Sequence, residues 1–338
     1  MIWLTLRQFR AQALSAAIVV AGAAIAFVIT GLHLHHTYTN DLASCTGFGS
    51  CDDVFSELQD SYRVAFQLTQ LLVIAAPALI GMFWGAPLIG RELETGTHQF
   101  VWNQTVTRTR WLAVKVILVG IAAVVTAGIL SYLLTWWASP LDHLNGNRFS
   151  PMTFASRDIV PFGYAAFAFA LGMTVGLLLR RTLPAMAITL AVFIGLQILM
   201  PTVIRPHLLP STTVTFAINA SSTKDSHGVW GNGGNFHFDL PIPQGAWIIS
   251  APAVVNSSGQ EVRMGDYIDC FPGPGPVKPA FDPGQIGACL ATDDLHESVT
   301  YQPGSNYWPL QWLESAIFAA LALLLSGVCF WWIRQRRN

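Results

Sequence analysis

Arg91-Glu-Leu-Glu-Thr-Gly-Thr97, continuing through His98-Gln-Phe-Val-Trp102 to Thr107-Arg-Thr-Arg110 and Lys115, is a polar run set between two long apolar segments. Polar residues between stretches of membrane length mark where the chain leaves the bilayer, so the reading of this run decides the fold. Charge kept here meets water, where it is available to a partner in the cytosol.

Composition fixes the class. The 338 residues are 52% hydrophobic and 11% charged, with a mean hydropathy of +0.46. So little charge cannot solvate a globular surface of ordinary size. The net charge of -1 offers no concentrated basic face to a nucleic acid. Six segments are long and apolar enough to span hydrocarbon: Ala13–Leu32, Val64–Ile89, Val116–Trp137, Ile159–Leu179, Leu183–Ile204 and Leu313–Ile333. A span takes roughly 20 helical residues. Pro77, Pro87 and Pro184 lie inside them and predict kinks rather than ends, because neighbouring groups can satisfy the carbonyls that proline frees.

Basic residues orient the spans. Arg7 and Arg10, then Arg91, Arg108, Arg110 and Lys115, then Arg180 and Arg181, then Arg334, Arg336 and Arg337 all fall on one side, which places both termini in the cytoplasm. Trp136, Trp137, Trp308 and Trp312 fit an outer aromatic belt, and Trp3, Trp111, Trp331 and Trp332 an inner one. The apolar run after the first arginines is too long for a secretory signal and reads as an uncleaved first helix. Cys45 and Cys51 then share the first outer loop and Cys270 and Cys289 the last, a placement that points to two structural disulfides within loops, while Cys329 stands alone inside the sixth helix. Neither pair has zinc-site spacing.

From Arg205 to Trp308 the chain is rich in Gly, Pro, Ser and Asn, with strand-like runs at Thr213–Ile218, Phe236–Leu240, Ala246–Ile249 and Glu261–Ile268. Gly231-Asn-Gly-Gly234 and Pro272-Gly-Pro-Gly-Pro276 read as turns, and Asp293, Asp294, His296 and Glu297 as a solvated acidic turn. Ionisable residues are missing from the deep parts of the spans, so neither an ion-coupled transporter nor an intramembrane enzyme has its machinery. Energy must enter elsewhere. In the polar run, Arg91, Glu92 and Glu94 extend the second helix to the surface and Gly96 breaks it. Thr97 caps a short helix through Gln104, and Thr107 caps the third membrane helix.

Glu92-Leu-Glu-Thr-Gly-Thr97, followed by Gln104-Thr-Val-Thr-Arg108 and Lys115, resembles the Glu-rich, Gly-Thr, Thr-Pro-Val-Ser-Arg and Gly-Lys pattern after the second helix of type 2 ABC exporter permeases. Met1-Ile-Trp-Leu-Thr-Leu-Arg-Gln-Phe-Arg-Ala11 and Tyr301-Gln-Pro-Gly-Ser-Asn-Tyr-Trp308 resemble the actinobacterial branch of that family. The pattern departs at Thr105, where many members carry proline, and at Val114, where the glycine before the lysine is missing.

The resemblance implies an all-α polytopic membrane protein of a bacterial plasma membrane, with six transmembrane helices, an N-terminal interfacial helix, a cytoplasmic coupling helix, and a small β-rich extracellular domain between helices 5 and 6. The corresponding boundaries are 1–204 for helices 1 to 5, with a coupling segment at 91–110, then 205–308 for the outer domain and 309–338 for helix 6 and a cytoplasmic tail. It implies coupling through Arg91, Glu92, Glu94, Gly96, Thr97, Phe100, Trp102 and Arg108, and a substrate path between helices 2 and 5 along Gln67, Gln70, Phe193, Gln197 and Met200. Its partners would be separate ABC ATPase subunits, a second permease subunit, identical or related, and the lipid bilayer. The chain has no Gly-x-x-x-x-Gly-Lys-Ser/Thr, so ATP and magnesium belong to the ATPase and no cofactor or metal to this chain. The expected activity is export of a hydrophobic or amphiphilic small molecule, lipid or drug. The alternative is a membrane sensor whose outer domain binds a ligand.

Overall fold

The structure, a computed structural model, describes residues 2–44, 50–95, 107–145, 148–223, 229–232, 235–238, 242–251, 254–270 and 283–335. The chain divides into two compact units, Met1–Arg205 with Trp308–Asn338, and Pro206–Tyr307. Among the described residues, six helices are long and apolar enough to cross a membrane: Phe9–Asn40, Asp60–Glu94, Arg108–Asp142, Val160–Leu179, Thr182–His207 and Gly304–Gln335. Each of the six expected segments lies in or within a residue of one of them.

The first helix, α1 (Ile2–Ser44), is continuous. A separate interfacial helix is therefore not what these residues form. The run Ile2–Ala21 holds neither glycine nor proline, and nothing in it favours a break over another helical turn. The second span is α2 (Ser50–Ile80), a π-helical turn at Gly81–Gly85, and α3 (Ala86–Glu94). Pro87 explains the irregularity. It has no N–H to give to the carbonyl four residues back, Phe83, and the ladder shifts, with Ala86 donating instead to Gly81 O. The freed Phe83 carbonyl accepts a bond from Gln12 Nε2 of α1 at 2.8 Å. The expected kink is thus a π-turn completed by a side chain from another helix.

The third span lies in α4 (Arg108–Asn145); a short helix, α5 (Pro151–Ser156), leads to α6 (Val160–Leu179), the fourth. This fourth span is the hub, buried along most of its length. Small residues let it meet the second span backbone to backbone. A Cβ at Gly81 would stand 2.6 Å from Ala168 O and one at Gly85 2.6 Å from Phe169 O, while Cβ atoms at Gly172 and Gly176 would strike the Gly81 and Ala86 carbonyl oxygens. The two Gly-xxx-Gly motifs are packing surfaces. The fifth span, α7 (Thr182–Leu199), ends in a second π-turn at Met200–Ile204 around Pro201. Pro184 sits in its first turn, where a missing N–H removes no helical bond, and it makes no kink.

The second unit holds a three-stranded antiparallel sheet in the order β1 (Thr212–Ala217), β5 (His296–Gln302), β4 (Trp247–Ser250), and a hairpin of β2 (Val229–Asn232) with β3 (Asn235–Phe238). A short helix, α8 (Ala220–Thr223), follows β1, and α9 (Pro283–Leu290) lies before β5. Ile218, Phe238, Val254, Val262, Ile286, Leu290, Leu295 and Val299 form its core. Cys270 is bonded to Cys289. Cys45 falls outside the described residues, and Cys329 is free and buried. The last membrane helix is α10 (Tyr307–Gln335).

Two sequence expectations fail in this unit. Glu261–Ile268 is not a strand: after an isolated bridge at Glu261, Asp266 Oδ2 accepts from Arg263 N at 3.2 Å, and the chain turns into a 3-10 segment at Met264–Cys270. His296 and Glu297 are not a solvated turn but the start of the central strand. Glu297 is buried, with His237 Nδ1 3.0 Å from Oε1 and Phe238 N donating to Oε2 at 3.1 Å, and burial raises the pKa of its carboxyl.

Candidate functional site

The end of the second span is bonded to two other helices. Glu92 and Lys115 form an ion pair that joins α3 to α4, with Lys115 buried and its ammonium 4.8 Å from the centre of the Trp111 ring. Two residues on, the Glu94 carboxylate accepts bonds from Thr182 N at 3.1 Å and Thr182 Oγ1 at 2.8 Å. Thr182 opens α7, and its N–H is one of the first-turn donors that a helix cannot satisfy from within. Arg181, at the cap position, makes no side-chain cap bond. Glu94 therefore caps the fifth membrane helix from the end of the second. Thr107 caps α4 as expected, its Oγ1 accepting from Arg110 N at 3.4 Å.

Arg91 points to solvent and makes no ion pair or hydrogen bond through its side chain among the described residues. With Glu92 and Lys115 it lines a cavity of about 370 Å³ whose walls also include Thr5, Phe9, Gln12, Pro87 and Leu88. Arg108 is the first residue of α4. Gly96, Thr97, Phe100 and Trp102, like the expected coupling helix, lie outside the described residues.

Of the residues expected along a substrate path, three are engaged inside the chain. Gln70 is buried and donates to Thr153 Oγ1 at 2.9 Å. Phe193 packs edge-on against Tyr164, with ring centres 6.0 Å apart, and Met200 is buried. Gln67 is exposed, and Gln197 is half-buried, its Nε2 without a hydrogen-bond partner among the described residues.

The structure also brings together residues that the sequence reading passed over. Arg205, at the end of the fifth span, gives Nε to Glu314 Oε2 at 2.9 Å and Nη2 to Oε1 at 3.1 Å, and its guanidinium lies 4.0 Å from the centre of the Phe154 ring. Tyr164 OH donates to the same carboxylate. Arg205 and Glu314 are both 0% exposed. Close by in sequence, Gln311 Oε1 accepts from Val160 N at 3.1 Å while its Nε2 donates to Phe154 O at 3.2 Å. Arg157 is buried against Asp142, with Nη2 2.8 Å from Oδ2. The available signal was two isolated charges of opposite sign at the same ends of two spans, since an ionisable group in a span implies a partner.

Six spans, the fourth of them a glycine-packed hub and the second, third and fifth joined at one end by charged side chains, define a multi-pass integral membrane protein. Residues 16–205 match the family model described as ABC-2 membrane transporter related, and the chain belongs to that family. It is a permease subunit of an ABC transporter, a transport component rather than an enzyme in its own right. Neither the curated proteins nor the solved structures contain a match to the chain.

Proposed function

We propose that this permease subunit exports a hydrophobic or amphiphilic compound, driven by separate ATPase subunits that bind ATP and magnesium and dock on the segment 91–110. In this reading both termini and that segment are cytoplasmic and Pro206–Tyr307 is extracellular. A second permease subunit, identical or related, completes the path, and Gln67 and Gln197 meet the substrate.

One observation carries the reading: the Glu94 carboxylate spans from the end of the second membrane helix to the first turn of the fifth. Force applied just beyond Glu94 would reach the fifth helix through this cap and the third through Glu92 and Lys115. That connection is what a transporter powered from outside its own chain requires. Affinity purification of the chain from its native membrane should recover a polypeptide with a phosphate-binding loop. In the reconstituted complex, Glu94→Lys should lower substrate export per ATP hydrolysed while the subunits still co-purify. Export per ATP equal to that of the unaltered complex would remove Glu94 from the mechanism, and recovery of no ATPase would remove the reading as a whole.

A further inference from the structure

The cavity beside Arg91 also has features of a ligand site. It lies where three spans begin or end: Thr5, Phe9 and Gln12 at the start of the first, Pro87 to Thr95 at the end of the second, and Lys115 near the start of the third. This is the level at which hydrocarbon gives way to headgroups. Phe9, Pro87 and Leu88 supply an apolar wall, and Arg91, Glu92, Lys115, Gln12 and two threonines a polar one. Its volume, about 370 Å³, falls within the range of small-molecule sites, about 300–1,000 Å³.

The charges select the ligand. Glu92 neutralises Lys115, and the Arg91 guanidinium, exposed and unpaired among the described residues, leaves the cavity a net single positive charge. Guanidinium is suited to bidentate bonding of a phosphate. Arg7, Arg10, Arg108 and Arg110 lie near the same ends of the spans, so the surrounding field is also positive. An ammonium headgroup would be repelled there. A soluble phosphate compound would leave the apolar wall facing water.

We infer that this cavity binds the phosphodiester headgroup of an anionic phospholipid, with Arg91 as the phosphate anchor and the wall of Phe9, Pro87 and Leu88 against the start of the acyl chains. Pro87 bears on the site twice. It lines the cavity, and its missing N–H commits Gln12 to Phe83 O, which holds the first helix against the end of the second.

The test uses the full-length chain, purified in a mild detergent, and three probes: dihexanoyl phosphatidylglycerol, dihexanoyl phosphatidylcholine and glycerol 3-phosphate. Binding is followed by native mass spectrometry. Phosphatidylglycerol should bind more tightly than phosphatidylcholine by about fivefold, the effect of one well-placed cation on an anionic lipid. Arg91→Gln should abolish that preference and Arg91→Lys should keep most of it. Glycerol 3-phosphate should bind at least as weakly as phosphatidylcholine. Equal binding of the two lipids, or an undiminished preference in Arg91→Gln, would overturn the assignment. Glycerol 3-phosphate binding as tightly as phosphatidylglycerol would overturn the lipid source and make this a site for a soluble phosphate. No ATPase enters the measurement, so its outcome is independent of the docking proposed for segment 91–110.

Discussion

Replacing Glu314 by glutamine changes few atoms and removes one charge, which isolates the electrostatic part of the cluster at the junction of the fourth, fifth and sixth spans. In the native protein the carboxylate accepts two bonds from Arg205 and one from Tyr164, all fully buried. Glutamine offers a single neutral oxygen to the same donors. Arg205 cannot shed its charge, so its buried guanidinium is left with that one neutral acceptor and the Phe154 ring, 4.0 Å away, and no counter-charge. Breaking a buried pair from one side costs about 3–5 kcal/mol. Removing the whole constellation differs, because no charge then remains to be desolvated. Arg205→Met with Glu314→Leu and Tyr164→Phe should lie within about 1–2 kcal/mol of the native protein. Reversible unfolding in mixed detergent micelles, monitored by tryptophan fluorescence, reads both quantities. A loss under about 1 kcal/mol for Glu314→Gln, or a triple variant as unstable as the single one, would refute the premise that an uncompensated charge sets the cost.

Gln12→Leu should cost about 1–3 kcal/mol by stranding the Phe83 carbonyl, and appreciably less in a Pro87→Ala background, where a backbone N–H returns to serve it; the same unfolding assay gives this cycle. Gly172→Ala should destabilise by at least about 1–3 kcal/mol, because its new methyl group meets the Gly81 carbonyl oxygen, whereas Gly195→Ala and Gly327→Ala, which open onto empty space, should be close to neutral. In the second unit, the hydrogen bond from Tyr267 to Asp293 raises the phenol pKa to about 12. A pKa raised in the folded state means that the stabilisation is complete below the unfolded value, about 10, and is lost as pH climbs through the folded one. Absorbance titration of tyrosinate should therefore lose one step near pH 12 in Tyr267→Phe, and an unchanged curve would refute the assignment.

The spans were legible because an uninterrupted apolar run has few other destinies. Thr107 as a cap and the glycine motifs as contact surfaces were legible for similarly local reasons. What escaped was set by pairing over distance. Glu314 and Arg205 each look like an ordinary charge near a helix end, and only folding reveals that they meet across 109 positions. The central strand escaped because its buried positions are Glu297, Val299 and Gln302, so the alternation that marks a half-buried strand is written partly in polar residues. Their satisfaction by His237, Phe238 N and Leu209 O lies elsewhere in the chain. Of the coupling residues, Glu92 and Glu94 were expected to face a partner. The structure gives both intramolecular bonds, a distinction that residue type alone cannot make.

Those bonds divide the membrane unit unevenly. The second and fourth spans touch through backbone at four glycines, where no side chain can rotate to absorb a shift, so they must move together or not at all. The third span is fastened to the end of the second by Glu92 and the buried Lys115, whose separation would strand an ammonium away from water. The fifth span is held differently at its two ends. At Arg205 it is fixed by a fully buried ion pair, but at Thr182 it is fixed by exposed hydrogen bonds to Glu94, which water can replace at little cost. Along its length it presents Leu183, Ile188, Val192, Ile194 and Ile198 outward and buries Ala185, Thr189, Phe193 and Met200 against its neighbours. A displacement delivered beyond Glu94 therefore meets a rigid block of the second, third and fourth helices and one helix with a cheap attachment at the near end and a costly one at the far end. On the proposed reading such a helix would pivot about Arg205 and convert a push at one membrane surface into a change of width beside Gln197.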